Sequence, residues 1–149
     1  MQLTPHFTKE ELEASRIASE EKIDNRIPDH LLEKAIRLCE RLEDVRAFLG
    51  KHYKEEVRMS ITSGYRCHAL NSHRRVGGQK YSQHMDLEAA DFIPSNTAPE
   101  DAWFGIRDSD VPYDQLILER NKLGATWIHY SIAPMNRKPR RMAFRLEKK

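Results

Sequence analysis

The sequence predicts an α+β fold, with helices packed on a small, mainly antiparallel sheet. Three observations carry that prediction. Leu31, Ala35, Leu38, Leu42, Val45 and Leu49 recur at three- and four-residue steps, the period of one helix face. Val57, Met59 and Ile61 alternate with Arg58, Ser60 and Thr62, the period of a half-buried strand. Residues 115–119 and 126–132 are apolar and β-prone on either side of the turn-like Arg120-Asn121-Lys122-Leu123-Gly124, which makes them a hairpin.

In chain order, Thr8 with Glu11 three residues on forms a capping box, opening a helix that carries Leu12 and Ile17 toward the core. Pro28 and Asp29 start the long helix, and Gly50 offers its stop. The strand from Val57 runs into Ser63-Gly64, leaving Tyr65 and Arg66 just past its end. A helical piece around Cys67 to Arg74 breaks at Gly77-Gly78, and a loop then carries Ser82 and His84 into a strand-like run, 88–93, that holds Asp91. Thr97-Ala98-Pro99-Glu100 reads as a second capping box, beginning a helix through Trp103 and Ile106. The hairpin that follows brings Glu119 and His129 onto adjacent strands.

The chain's 149 residues suffice for one domain, 1–149, with a real core. Apolar residues make up 39% and charged residues 32%, which excludes a disordered chain. Apolar runs are only a few residues long, so no membrane span is expected, and the N-terminus lacks a secretory signal pattern, so synthesis in the cytoplasm is expected. Two cysteines, Cys39 and Cys67, make no disulfide framework, and both are expected to be reduced. The formal charge of +2 hides an asymmetry: the basic C-terminal segment 133–149 carries seven Lys/Arg against one Glu, a local +6 that leaves −4 on the first 132 residues. Such a segment suits an anionic partner, nucleic acid or cell-wall polymer, or else a solvated last strand. No nucleic-acid motif accompanies it, so no nucleic acid is expected as partner.

The residues that carry chemistry are His84, Asp91 and His129, with Glu119 and Arg66. Two histidines and a carboxylate are the donor set of a hydrolytic zinc site, which keeps one position open to water; iron is a formal alternative. His84 and Asp91, seven residues apart, cannot chelate from one regular helix, but a loop feeding a strand can fold both inward. Glu119 can serve as the base that moves the water's proton, and Arg66, always cationic, matches a carboxylate. Each residue has a plainer reading as well: Arg66 as partner of a structural acid, Glu119 as a cross-strand charge, Trp127 as a core or cleft wall. Cys67, His68 and His73 offer a competing metal set without convincing spacing, and are read as solvent-facing or cleft-lining.

Ser63-Gly64-Tyr65-Arg66, Leu70-Asn71, Val76-Gly77-Gly78, Ser82-Gln83-His84, Glu88-Ala89-Ala90-Asp91, Asp114-Gln115-Leu116-Ile117 with Glu119, and Trp127-Ile128-His129 together resemble the zinc D-Ala-D-Ala carboxypeptidase group. That group includes phage and prophage cell-wall peptidases and is similar in fold to vancomycin-resistance dipeptidases and the hedgehog signalling domain. The resemblance covers roughly residues 5 to 140. It implies one Zn²⁺ on His84, Asp91 and His129, Glu119 as catalytic base, Arg66 as the substrate-carboxylate contact and Ser82 as a secondary contact. It further implies hydrolysis of peptide bonds in peptidoglycan stem peptides, as a carboxypeptidase or an endopeptidase of endolysin type, by a monomer that reaches the wall after lysis, through a pore or on a virion. The rival reading is a zinc-stabilised binding or structural module, such as a phage tail component, and Glu119 speaks for the enzyme. One departure stands out: Leu87 occupies a position where the group commonly has glycine, which would strain a branched residue if the backbone there needs φ > 0.

Overall fold

The computed structural model describes residues 1–147 of the chain. A five-stranded mixed sheet is built from β3 (Met59–Ser63), β4 (Ala89–Pro94), β5 (Gln115–Arg120), β6 (Thr126–Ser131) and β7 (Met142–Glu147), in the order β3-β4-β6-β5-β7. Three of its four pairings are antiparallel and the last, β5 with β7, is parallel. Two short strands, β1 (Gln2–Thr4) and β2 (Phe7–Thr8), form a separate N-terminal ribbon.

The long helix α3 (Leu32–Tyr53) buries Ala35, Leu38, Cys39, Leu42, Val45 and Leu49, the face that the helical period marks. This face joins one core with Ala90, Phe92, Leu116, Leu118, Ile128 and Tyr130 of the sheet, and with Trp103 and Ile106 of α5 (Pro99–Arg107). Each fully buried leucine there contributes about 1.5–3 kcal/mol. Because side chains alternate along a strand, Asp91, Ile117, Glu119 and His129 point to the other face. One face of the sheet is therefore core, and the other is free to carry chemistry.

Several boundaries depart from expectation for local reasons. The predicted first helix is two: α1 (Lys9–Glu13), with the expected Thr8–Glu11 capping box, and α2 (Arg16–Glu20), which Ser15 caps afresh through Ala18 N. The long helix begins after a 3-10 turn, Asp29–Leu31, and runs through Gly50 to Tyr53, where Lys54 takes the left-handed conformation and donates its N–H to Gly50 O. At α5 the expected capping box is absent: Ala98 is the N-cap with no side-chain bond, and Pro99 begins the helix. The helical piece past Arg66 is α4 (His68–Ser72).

The basic C-terminal segment is structured where it is described; Lys148 and Lys149 lie outside the described residues. After β6 the chain passes the end of β5 and returns as β7 along that strand's far side. Asp114, 0% exposed and immediately before β5, fastens this crossover: its carboxylate accepts from Arg137 and Arg140 at 2.7 Å each, and its carbonyl accepts from Met142 N.

Candidate metal centre

One row across the sheet, Ser63–Asp91–His129–Ile117–Phe144, joins neighbouring residues of β3, β4, β6, β5 and β7. Asp91 and His129 therefore meet as a cross-strand pair. His84 reaches them from a 3-10 turn, Gln83–Asp86, that Ser82 caps by accepting from His84 N at 3.2 Å. The Ser63-Gly64-Tyr65-Arg66 turn grips this histidine at two points: Gly64 O accepts from His84 Nδ1 at 2.7 Å, and Arg66 N donates to His84 O. A side chain could not replace the glycine, because a Cβ at 64 would lie 2.7 Å from Leu12 O. The turn is thus pressed against α1, with Tyr65 N donating to Leu12 O.

The three donor groups of His84, Asp91 and His129 lie within 4.8 Å of one another. Asp91 Oδ1 is 2.9 Å from His129 Nδ1 and 3.4 Å from His84 Nε2. A carbonyl can only accept, so His84 Nδ1 carries its proton toward Gly64 and Nε2 is left with the lone pair a metal needs. Burial pushes the His84 imidazole below its ordinary value, which favours this neutral form. Burial alone would push the Asp91 carboxyl up, but His84 and His129 beside it prevail and hold it well below the usual carboxylate range. Two imidazoles and an ionised carboxylate converging on one point fit a divalent metal with N,N,O preference.

Arg66 extends the constellation. Its Nε lies 3.3 Å from Ser63 Oγ, its Nη1 donates to Asn71 Oδ1 at 3.2 Å, and its Nη2 stands 3.8 Å from Asp91 Oδ2. Burial draws the guanidinium down from its ordinary value, against the pull of Asp91 and Glu119. Glu119 sits in β5 opposite Trp127 in β6, and the Trp127 indole Nε1–H donates to Glu119 Oε2 at 2.5 Å. All six residues singled out in the sequence, Arg66, Ser82, His84, Asp91, Glu119 and His129, line one cleft of about 440 Å³. His68 and His73 do not join it, and among the described residues only His84, Asp91 and His129 form a group with metal-ligand spacing.

Some positioning residues went unread in the sequence. Trp127 was expected as a wall, and its indole instead holds the Glu119 carboxylate. Asn25, buried, donates to Glu13 O and Tyr65 O and accepts from Cys67 N, which ties the arginine turn to the N-terminal helices. Asn71, also buried, receives Arg66 and donates to Gln79 O. Nothing local marks Asn25, since its partners stand up to 42 residues away.

No curated protein matches the chain. A family model described as Peptidase M15 matches residues 5–131, a span that includes Arg66, Ser82, His84, Asp91, Glu119 and His129, and the chain belongs to that peptidase family.

Proposed function

We propose that this chain is a zinc-dependent peptidase that cleaves the stem peptides of bacterial peptidoglycan at the bond next to a C-terminal D-alanine. M15 peptidases are zinc-dependent, and His84, Asp91 and His129 are the set that would hold the ion here. The observation that carries the carboxypeptidase reading is Arg66, a part-buried cation whose Nη2 lies 3.8 Å from a candidate metal ligand. At that distance it can grip the terminal carboxylate of a residue whose own amide lies at the metal.

When bound, zinc polarises the scissile carbonyl and makes water a stronger acid. The remaining work falls to side chains of this chain. Arg66, braced by Ser63 and Asn71, binds the substrate carboxylate and sets the register of cleavage. Glu119, oriented by the Trp127 indole, takes a proton from the attacking water and returns it to the leaving amine, so that one carboxylate serves as base and then acid. Ser82 stands at the cleft beside His84 and offers a hydroxyl to the peptide backbone.

The test is mass spectrometry of products from purified peptidoglycan and its muropeptides, with zinc-loaded protein and with a Glu119→Gln variant shown to retain metal. Release of D-alanine by the first, reduced at least about a hundredfold in the second, is the expected result. Cross-link products without free D-alanine would replace carboxypeptidase by endopeptidase, and no product from any wall would leave a binding or structural module.

A further inference from the structure

On one side of the candidate metal centre Arg66 lies against Asp91, and residues 76–79 line the cleft there as well. On the other it runs on across the sheet, from His129 to Ile117 to Phe144. Two strand spacings of about 4.8 Å make this floor roughly 10 Å long, the reach of about three residues of extended peptide. Its far end is β7, which begins eleven residues beyond the last position matched by the family model.

β7 presents an unusual face for an edge strand. Phe144 pairs with Ile117 and Leu146 with Glu119, and both join the cleft lining; Met142, paired with Gln115, continues the same face. Leu146 is 41% exposed and Met142 40%, so an apolar stripe lies open to solvent beside catalytic chemistry. The loop before His84 adds Tyr81, 84% exposed, to the same cleft. At the root of the stripe stands Arg140, another lining residue. It shares the buried Asp114 with Arg137 but is itself 45% exposed, so its guanidinium is a solvent-accessible cation at this end of the cleft.

Resting on the peptidase reading above, we infer that β7 with Arg140 is the subsite for substrate residues on the acyl side of the scissile bond. It selects a peptide that bears an apolar side chain and a carboxylate within the three residues preceding that bond. The specificity of this chain beyond its C-terminal grip is then written in a segment the family match does not cover. The acyl-side selection is for an acidic, partly apolar peptide, whereas Arg66 on the opposite side recognises only a terminus.

The experiment is isothermal titration calorimetry of synthetic peptides with metal-loaded Glu119→Gln protein, with hydrolysis by the unsubstituted protein followed in parallel. The peptides share a C-terminal residue and carry one to four residues before the bond, with Glu compared against Gln at each of the three nearest positions. Affinity is expected to rise up to the third residue and then level off. Glu at one position should be favoured over Gln by about threefold to tenfold, the range of a partly exposed carboxylate–guanidinium pair. Arg140→Gln should abolish that preference, and Leu146→Ser, a change at an exposed position, should reduce the gain from an apolar residue by about threefold. Thermal melts of both variants confirm that they are folded. Affinity independent of length, or a Glu preference that survives Arg140→Gln, overturns the inference. Acid-selective binding without hydrolysis of any peptide would overturn the peptidase reading and leave this subsite standing; hydrolysis without length or charge preference would do the reverse.

Discussion

At the residue scale the most exposed conflict between sequence and backbone is Leu87. It ends the turn that carries His84, at φ 54° and ψ 41°, and its side chain is 1% exposed in the main core. The left-handed region costs a residue with a Cβ about 1–2 kcal/mol, while burying a leucine returns about 1.5–3 kcal/mol, so the branched residue is tolerated where glycine would suit the backbone better. Leu87→Ala keeps the backbone cost and empties the core, whereas Leu87→Gly empties the core and relieves the backbone. Urea unfolding should therefore find Leu87→Gly more stable than Leu87→Ala by about 1 kcal/mol, the reverse of their order at an ordinary position. Ala above Gly would mean that the turn is not held left-handed. The glycine-like demand at this position was legible in the sequence only through the family pattern, whereas the candidate ligands were legible from their donor chemistry and order as well. Asn25 and the Trp127–Glu119 bond were not, because each acts through a partner that local spacing does not reveal.

At the scale of elements, strong periodicity translated directly: the face of α3 and the β5–β6 hairpin lie where their patterns put them. Weak signals did not translate. Nothing in the alternation of residues 142–147 says that this strand pairs parallel with β5, because that choice is made by the crossover and its fastening to Asp114. The fastening is electrostatic and titrates. Burial would push the Asp114 carboxyl up, but the bonds from Arg137 and Arg140 overcome it and hold the group far below its ordinary value. A depressed carboxylate stabilises the fold above its unfolded pKa of about 3.9 and loses that contribution as the pH falls through the folded value. Asp114→Asn is expected to cost about 1–3 kcal/mol, less than a fully buried pair because both arginines reach solvent. In urea titrations the gap between the two proteins should stay constant from pH 8 to about 5 and narrow below about 4. Narrowing already between pH 8 and 6 would show that some other group holds the crossover.

At the scale of the whole molecule, the candidate ligands join parts of the chain that only the folded state brings together. His84 comes from a turn gripped by the segment after β3, Asp91 from β4 and His129 from β6. A metal held by all three binds the native chain and not the unfolded one, so it must stabilise the fold by mass action, by about 2.7 kcal/mol at a free concentration a hundredfold above its Kd. For a chain of this length that corresponds to roughly 5–10 °C in Tm. Scanning fluorimetry of protein stripped with a chelator and then restored with buffered Zn²⁺ should recover that shift, while Mg²⁺ and Ca²⁺, which prefer oxygen donors, should not. Protons compete with the metal for its donor atoms, so the shift should shrink as the pH is lowered. His129→Ala should abolish it, and a shift retained in that variant would place the metal on other residues and detach the cleft's chemistry from the His84, Asp91 and His129 set.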